Sequence, residues 1–502
     1  MVKRPGESHI PFGVWLFSLE VFLMKVVVIG GGVVGALIVR ELSMYDLEIT
    51  LIEKNLDIGW GVTKANSAIL HAGYDDPIGS VRAKFCAKGN ELYTQLAKEL
   101  DFEIKRIGSY VIAFDEQELD TLKKLLRQGE VNGVPGLEIH EKEIILEKEP
   151  NLSKEIKYGL WAPTAGITEP WMIAIAAVEN AVDNGAKLIL GEKVVDFEKH
   201  YDRITKVITD KSSYEADVVI NAAGLFADEI AELAGAEYVP LHPRRGEYIL
   251  LDKKIGNMVS SVIFPTPTIL SKGILVLPTI DGGLLLGPTA VDLASDMKDN
   301  LSTTSEGLKE IISFTKRFVP SLDFSQTVKT FSGLRPESPQ KDFFINNSER
   351  VKNFINIMAM RSPGLTAAPA IAKHVVEEII QERLKISLSA RKDFNPIRKG
   401  IKSFSKLSPK EWQKHVEQNP LAGRLICYCN EVTEAEIVEA IKRGARTLDG
   451  VKFRTRAMFG RCQGGFCSIK IMKILERELN VDMSQIVQKS YNSWIVSGRV
   501  RE

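Results

Sequence analysis

The first strong hydrophobic pattern along the chain is a run of mostly β-branched residues from Lys25 to Ile29, which a cluster of glycines follows. Apolar residues then recur at helical spacing from Val33 to about Met44. A second apolar run, Leu47 to Ile52, ends at Glu53. Continuous apolar runs are typical of strands buried on both faces, so this order predicts a strand, a tight turn, a helix and a second, parallel strand.

The glycine cluster has the spacing of a dinucleotide-binding turn, G-x-G-x-x-G. Gly30 permits the tight turn, Gly32 lets a pyrophosphate approach the backbone, and Gly35 lets the helix pack against the strand. The helix N-terminus then offers free N–H groups and the positive end of its dipole to the phosphates. Glu53 is placed to accept hydrogen bonds from a ribose, so the whole unit predicts a dinucleotide site.

Two later patterns extend this picture. The loop from Trp60 to Gly73 is rich in Gly, Ser, Thr and Asn, which suits a large flavin that crosses the sheet. Residues 240–290 contain strand-like apolar runs separated by turn residues. This second pattern predicts an antiparallel sheet.

Length and composition indicate a globular protein of two or three domains, because 502 residues are too many for one simple core. Hydrophobic residues make up 44% and charged residues 26%, which is ordinary for such proteins. Lys+Arg and Asp+Glu both count 65, so the basic excess of a nucleic-acid binder is missing. We therefore expect no nucleic-acid partner.

Residues 10–29 superficially look like a signal peptide or a membrane span. However, Glu20 and Lys25 interrupt the apolar run, and no small-residue cleavage site follows it. Met24 begins the sequence MKVVVIGGG, which reads naturally as a chain start. We expect residues 1–23 to be an upstream extension, with a peripheral amphipathic anchor as the alternative.

Four sequence blocks, in this order, resemble the D-amino-acid-oxidase-like flavoprotein superfamily, which includes glycerol-3-phosphate dehydrogenases, glycine oxidase and L-2-hydroxyglutarate dehydrogenase. The blocks are Gly30–Glu53, NSAILHAGYD at Asn66–Asp75, DVVINAAGLFAD at Asp217–Asp228, and SGLRPESP at Ser332–Pro339 together with RSPGLTAAPAIA at Arg361–Ala372.

This resemblance implies an α/β fold within residues 24–385, in which a discontinuous Rossmann-like FAD-binding domain carries an antiparallel-sheet substrate domain over the flavin. The FAD part is expected at residues 24–100, 165–240 and 330–385, and the substrate part at residues 101–164 and 241–329. Residues 386–420 are charged and irregular, and we expect them to be a linker to a small helical domain at 421–502.

The resemblance also implies FAD contacts by position. Ser362 to Thr366 should form a turn before a helix whose N–H groups and dipole face the flavin N1–C2=O edge, which stabilises the anionic reduced flavin. The expected cofactor-binding residues are Gly30, Gly32, Gly35, Glu53, Lys54, Asn66, Ser67, Val194, Val195, Ala223, Gly224, Gly364, Leu365 and Thr366.

A small anionic substrate needs fixed cations, and arginine suits carboxylate or phosphate because of its bidentate fork. Arg335 aligns with the arginine that binds the substrate's anionic group across the superfamily, with a structural ion pair as the alternative role. Arg361 and Arg245 are further candidates. Arg244 is expected to be a solvated charge at a strand end.

His71 lies in the loop expected beside the flavin ring. Oxidation of a secondary alcohol needs a group that takes the hydroxyl proton, and an imidazole suits that role. We predict that His71 is catalytic or contacts the flavin, with a packed structural histidine as the alternative. Covalent attachment of FAD to a histidine near this region, as in some relatives, stays open.

Four of the five cysteines, Cys427, Cys429, Cys462 and Cys467, form a C-x-C pair and a C-x4-C pair 32 residues apart. This clustering favours a metal or cluster site in a reducing compartment over disulfides. With VTEAEI and GRCQGGFC, the pattern resembles bacterioferritin-associated-ferredoxin-like domains, which bind [2Fe–2S]. Zinc and an unmetallated remnant are the alternatives. Cys86 reads as a buried helix residue.

Together the two resemblances imply an FAD-dependent dehydrogenase, because a cluster that carries one electron at a time suits transfer to a protein acceptor. We expect oxidation of sn-glycerol 3-phosphate to dihydroxyacetone phosphate in a hetero-oligomer with electron-accepting subunits. The expected location is the cytoplasm, with at most peripheral contact with the inner face of the membrane.

The loop NSAILHAGYDDPIGSVRAKFC is nearer to the L-2-hydroxyglutarate dehydrogenase branch. A 2-hydroxy acid is therefore the second candidate substrate and an amino acid the third. A non-catalytic electron-transfer subunit is the alternative of a different class.

Overall fold

The computed structural model describes residues 23–267 and 273–498. The expected N-terminal extension, apart from its last residue, lies outside these ranges. Within them, no helix combines the length and the apolar character that crossing a membrane requires.

The strands of the described residues are β1 (Lys25–Ile29), β2 (Glu48–Glu53), β3 (Ile69–Leu70), β4 (Ile104–Lys105), β5 (Ser109–Ala113), β6 (Glu138–Glu141), β7 (Tyr158–Ala162), β8 (Gly166–Thr168), β9 (Lys187–Leu190), β10 (Val194–His200), β11 (Arg203–Thr209), β12 (Ser213–Glu215), β13 (Val218–Asn221), β14 (His242–Leu251), β15 (Val262–Pro265), β16 (Leu275–Pro278), β17 (Leu284–Gly287), β18 (Val291–Asp292), β19 (Thr327–Glu337), β20 (Phe344–Asn347), β21 (Phe354–Met358), β22 (Leu425–Cys427) and β23 (Val432–Thr433).

The α-helices of the same ranges are α1 (Val33–Leu42), α2 (Val81–Leu100), α3 (Glu116–Val131), α4 (Lys142–Lys148), α5 (Pro170–Asp183), α6 (Ala227–Leu233), α7 (Ser305–Phe318), α8 (Gly364–His374), α9 (Pro409–Gln418), α10 (Glu434–Lys442), α11 (Leu448–Thr455) and α12 (Ser468–Leu479). Helix α8 continues as a π-helix over Val375–Arg383.

A six-stranded sheet in the order β20-β21-β13-β1-β2-β9 forms the first layer, and only β20 runs antiparallel to its neighbour. The predicted β1–α1–β2 unit forms its centre. The residues of β1 from Val26 to Ile29 are almost completely buried because helices cover the sheet. Cys86 lies on α2 and is fully buried, as its place in a helical stretch predicts.

A nine-stranded, mainly antiparallel sheet forms the second layer. Its longest pairing joins β14 to β19, with His242 opposite Glu337 at one end and Leu251 opposite Thr327 at the other. The whole of β19 therefore belongs to this sheet. The boundary expected at residue 329 lies instead beyond Glu337, because backbone pairing with a distant strand decides it and local sequence does not.

The segment expected to be an irregular linker is more ordered than its composition suggests. Arg398 is buried and pairs with Glu179 at 2.8 Å, which fixes the segment to α5. Helix α9 begins at a capping box in which the side chains of Ser408 and Glu411 bond each other's backbone N–H groups. The sequence Ser-Pro-Lys-Glu carries that signal, so this helix was predictable.

The C-terminal domain packs directly on the FAD-binding layer. Arg454 on α11 donates two hydrogen bonds, of 2.5 and 2.8 Å, to the carboxylate of Asp57, which follows β2. Both side chains are 5% exposed. A bidentate arginine–carboxylate pair of this kind fixes orientation, so the domain interface has a defined geometry.

Candidate active site and cysteine cluster

A cavity of about 1070 Å³ lies between the two sheets and the C-terminal domain. It extends from the glycine turn after β1, past β19 and the start of α8, to Cys429 of the C-terminal domain. The predicted site residues that line it are His71, Arg335, Arg361, Gly30, Gly32, Glu53, Lys54, Asn66, Ser67, Val194, Ala223, Gly224, Gly364 and Leu365.

Four predicted residues have a different place. Gly35 and Thr366 lie behind the cavity wall: Gly35 packs α1 on β1, and the Thr366 hydroxyl accepts a 2.9 Å hydrogen bond from the backbone N–H of His71. The side chain of Val195 is 42% exposed and does not line the cavity, whereas Val194 does. Arg245 also lies off the cavity wall.

The glycine turn has the geometry that a phosphate approach requires. A Cβ on Gly30 would lie 2.4 Å from the carbonyl oxygen of Ala222, and Gly30 has a φ of +107°. A Cβ on Gly35 would lie 2.0 Å from the carbonyl oxygen of Gly30. Gly32 caps α1 without a side chain, so the helix N-terminus opens on the cavity and fits a pyrophosphate.

Glu53 lies at the carboxyl end of β2 and is buried. One carboxylate oxygen accepts from the Gly31 N–H at 2.7 Å, and the other accepts from the backbone N–H and side-chain amide of Asn55 at 2.8 and 2.6 Å. Burial raises the pKa of Glu53. The oxygen bound to Gly31 keeps acceptor capacity for a ribose hydroxyl, so these residues fit FAD. Asn55 was missed, although its position two residues after the acid was a usable signal.

The loop expected beside the flavin ring is held by its own side chains. Asn66 accepts from the Ala68 N–H at 2.7 Å and donates to the carbonyls of Val62 and Thr63. The imidazole Nε2 of His71 lies 3.2 Å from the hydroxyl of Ser362, just before α8. His71 therefore faces the helix N-terminus that the sequence predicted for the flavin edge.

Arg335 lies on the cavity face of β19. Its guanidinium donates to the carbonyl oxygens of Thr289 at 2.7 Å, Arg244 at 3.4 Å and Arg245 at 3.5 Å. Among the described residues, no carboxylate lies within ion-pair distance of it, so the alternative role, a structural ion pair, is not seen there. Burial lowers the pKa of this guanidinium, because enclosure in the protein disfavours its charged form.

Arg361 and Arg244 share a buried carboxylate. Glu337 accepts from Arg361 at 2.8 Å and lies 3.5 Å from Arg244. Arg244 also makes a two-pronged pair with Asp292, at 2.6 and 2.7 Å. This end of the cavity thus gathers three guanidinium groups, of Arg244, Arg335 and Arg361, against the two carboxylates of Glu337 and Asp292. One positive charge is left in excess for an anion.

The cavity wall includes Arg244 and not the predicted Arg245. Arg244 lies opposite Arg335 in the β14–β19 register, and Arg245 lies opposite Leu334. Side chains alternate across a strand, so Arg244 shares the cavity face with Arg335 while Arg245 points to the other face. There Arg245 is buried 3.8 Å from Glu247. Glu337, two residues after Arg335, was missed.

The four clustered cysteines form two pairs. The Sγ atoms of Cys429 and Cys462 are 3.7 Å apart, and Cys427 interacts with Cys467. That interaction and backbone N–H groups lower the pKa of Cys427 to about 6. No three or more potential ligands converge on a single ion in the described ranges. Two thiolate pairs fit a two-iron cluster better than a single zinc, which takes four ligands at one point.

An aromatic cluster joins the cavity to the cysteine domain. Trp171 on α5 contacts Phe453 and Phe459, with ring centroids 5.2 and 5.6 Å apart. Arg456 lies over Trp171 and ion-pairs with Asp281 and Glu169. Cys429 and Gly460 line the same cavity as His71 and Gly364, so one of the clustered cysteines faces the predicted flavin site within one chain.

Two parts of the chain match known families. Residues 25–378 match the FAD dependent oxidoreductase family, and residues 425–477 match the BFD-like [2Fe–2S] binding domain. The chain belongs to the FAD-dependent oxidoreductase family. It combines that family's domain with a C-terminal [2Fe–2S] domain, as the two sequence resemblances implied.

Individual relatives of this FAD-dependent oxidoreductase agree. Glycerol 3-phosphate dehydrogenase of Caloramator mitchellensis is 46% identical over 95% of this chain and 98% of its own length. A mitochondrial L-2-hydroxyglutarate dehydrogenase of Caenorhabditis briggsae is 29% identical over 72% of this chain and 94% of its own. The dithionite-reduced L-α-glycerophosphate oxidase of Mycoplasma pneumoniae with FAD bound superposes with a TM-score of 0.70, at 30% identity, over 74% of this chain and 98% of that one.

The glycine turn gives a first prediction. The substitution Gly35→Ala places a methyl group against the Gly30 carbonyl, and overpacking of about 1–3 kcal/mol should weaken FAD binding roughly 5- to 150-fold. FAD released per chain by heat denaturation measures this. Gly423→Ala is the matched control, because Gly423 is not in the positive-φ region and the nearest atoms to its Cβ would all belong to the Val416 side chain, the first at 3.2 Å. Full FAD content in Gly35→Ala would contradict the role given to this turn.

Proposed function

We propose that this chain oxidises sn-glycerol 3-phosphate to dihydroxyacetone phosphate and passes the electrons through its C-terminal domain to a partner subunit. When bound, FAD supplies the two-electron acceptor and the [2Fe–2S] cluster a one-electron carrier. The observation that carries the proposal is the enclosed Arg335, which has carbonyl partners only among the described residues and lines the cavity beside Arg244. The identity to a glycerol 3-phosphate dehydrogenase supports the same substrate.

The cationic end of the cavity would bind the phosphate. Arg335 and Arg244 lie on adjacent strands of one face, so both can donate to one phosphate group. Arg361 donates a 2.8 Å hydrogen bond to Glu337, and its partly buried guanidinium adds to the positive potential at this end of the cavity. A phosphate dianion would replace the missing counter-charge of Arg335, which explains why an arginine is enclosed there.

The remaining chemistry belongs to the α8 end of the cavity. Two contacts position His71: its backbone N–H donates to the Thr366 hydroxyl, and its ring Nε2 lies 3.2 Å from the Ser362 hydroxyl. We propose that its imidazole takes the proton of the substrate's secondary hydroxyl while the carbon-bound hydrogen leaves. The N-terminus of α8, uncapped by any side chain, would stabilise negative charge that develops on the flavin.

A 2-hydroxy acid is the second candidate, because the loop around His71 resembles that branch and an L-2-hydroxyglutarate dehydrogenase is 29% identical. A carboxylate would bind the same arginines. An amino acid is the third candidate, and an electron-transfer subunit without its own catalysis is the alternative of another class.

Anaerobic titration of the purified holoenzyme distinguishes these candidates. Glycerol 3-phosphate, L-2-hydroxyglutarate, L-lactate and L-proline are added in parallel while the visible flavin band is recorded. The proposal expects rapid bleaching by glycerol 3-phosphate alone. Bleaching by a 2-hydroxy acid alone moves the chain to the second candidate, and bleaching by none of them counts against catalysis by this chain alone.

The arginine assignment gives a mutational prediction. Arg335→Met should raise the glycerol 3-phosphate concentration for half-maximal bleaching about 100-fold, because charge-assisted hydrogen bonds worth roughly 3 kcal/mol are lost. Arg245→Met is the matched control and should leave that concentration nearly unchanged, since Arg245 lies on the opposite face of β14. Equal effects of the two substitutions would show that the face of the strand does not decide substrate binding.

The route to the partner is proposed from the outer surface of the C-terminal domain. Phe466 and Tyr428, each next to a cluster cysteine, are 81% and 64% exposed, and Ile469 is 52% exposed. Cys429 is exposed in the same domain. Large apolar side chains exposed together are typical of a protein-binding surface, so we propose that an electron-accepting subunit docks over the cluster.

The two half-reactions can be separated. Cys429→Ser removes one cluster ligand, so glycerol 3-phosphate should still bleach the flavin while electron delivery to a one-electron protein acceptor is lost. Stopped-flow absorbance follows the first step and acceptor reduction the second. Cys86→Ala serves as the control, because Cys86 is buried in α2. Undiminished acceptor reduction by Cys429→Ser would mean that electrons leave the flavin directly.

A further inference from the structure

Four lysines line the cavity where the FAD-binding layer meets the C-terminal domain. Lys64 and Lys329 come from the oxidoreductase domain, and Lys452 and Lys489 come from the C-terminal segment. We call this group the lysine pocket. The match to the oxidoreductase family covers residues 25–378 and therefore only Lys64 and Lys329. The other two lysines are present in the pocket only because the C-terminal domain is fused to the first.

The positive charge of the lysine pocket is poorly balanced. Within the described ranges, no carboxylate lies within 4 Å of any of these four ammonium groups. Asp449 is the acidic neighbour that raises the pKa of both Lys64 and Lys452, and its carboxylate already accepts a 2.5 Å hydrogen bond from Gln488. Cys467 also raises the pKa of Lys452. The pocket therefore carries an excess of positive charge, and charges of one sign at a domain contact repel each other.

Two of the lysines are held in an aromatic setting. The residue Lys452 is 8% exposed, and its ammonium lies 5.0 Å from the ring centroid of Phe459. The ammonium of Lys64 lies 3.1 Å from the Trp60 ring and 5.5 Å from Phe453. Burial lowers the pKa of Lys64 to about 7 and that of Lys452 to about 8. Lys329 and Lys489 lower the pKa of Lys64 further.

The burial of one lysine points to a ligand. Lys452 is nine-tenths buried, and no carboxylate lies within 4 Å of its ammonium in the described part of the chain. Enclosing an ammonium without a paired anion is costly. The lysine pocket therefore favours an anion as its occupant.

The diphosphate of FAD has its own place and does not account for the lysine pocket. It is expected at the Gly30–Gly32 turn and the N-terminus of α1, where the Thr63 hydroxyl accepts from the Val33 N–H at 3.0 Å. The side chain of Lys64 extends from that loop, and its ammonium lies over the ring of Trp60 and near the ring of Phe453, which belongs to the C-terminal domain. The substrate arginines lie toward the other end of β19, six residues from Lys329.

We propose that the lysine pocket binds a phosphorylated small molecule of at least two negative charges, distinct from both FAD and the substrate. Lysine is a point-charge phosphate donor, and several of them suit a polyanion better than a monocarboxylate. The bound anion would contact both domains at once. It would thereby hold the cysteine domain against the flavin-binding layer.

Isothermal titration of the oxidised holoenzyme with inorganic pyrophosphate, without substrate, tests this. The expected result is one site per chain, with a Kd that rises at least about tenfold in Lys452→Met, the equivalent of roughly 1.4 kcal/mol. Lys470→Met is the matched control, because Lys470 lies over Tyr428 on the outer surface. Arg335→Met should also keep the site, which separates it from the substrate's phosphate position.

The pH dependence has a defined sign. Because burial lowers the pKa of Lys64 and Lys452 to about 7 and about 8, the advantage of the wild type over Lys452→Met in pyrophosphate affinity should shrink as the pH rises through that range. The ratio of the two Kd values at each pH cancels the titration of pyrophosphate itself. Absence of binding to the wild type, or equal binding by Lys452→Met, would overturn the proposal. Loss of FAD from Lys452→Met in proportion to the loss of binding would also overturn it. None of these readings depends on the substrate of the enzyme.

Discussion

The antiparallel pairing of β14 with β19 decides which side chains can act in the cavity. Because side chains alternate across each strand, the register that sets Arg244 opposite Arg335 also sets Tyr248 opposite Phe331 on the same face. Those two rings stack at 4.8 Å and 11°. A slip of one residue would turn both the arginines and the stacked rings away from the cavity. The positive charges that we assign to the substrate and the aromatic wall of the cavity therefore depend on one register.

The charges at that end of the cavity follow from the same pairing. Glu337 stands two residues after Arg335, at the spacing of one strand face, and it takes Arg361 and Arg244 as partners. A buried carboxylate between two guanidinium groups is fully compensated, whereas Arg335 has only backbone oxygens among the described residues. The protein thus neutralises part of the charge itself and keeps one cation for an incoming anion.

Local sequence was enough for the parts of the site that depend on neighbouring residues. The glycine turn, Glu53 and the turn before α8 each lie within short stretches of the chain, and residues of all three line the cavity. The choice between Arg244 and Arg245 could not be made in this way. It depends on strand parity, which is set by pairing with a strand about ninety residues later. The role of Glu337 was hidden for a related reason, since it pairs with Arg361 and Arg244, which only the fold brings near. Asn55, two residues after Glu53, could have been predicted from local sequence.

Fusion of the cysteine domain changes what the cavity is. Without that domain, Trp171 and the open side of the glycine turn would face solvent; with it, Phe453, Phe459 and Cys429 form part of the wall. The Arg454–Asp57 pair fixes this wall at the end of β2, next to the residues that fit FAD. A carrier held in that wall accepts electrons at a separation set by packing and not by diffusion. On the proposed function, the interface between the two domains is therefore part of the catalytic machinery, and its charges bear on electron transfer as directly as the arginines bear on the substrate.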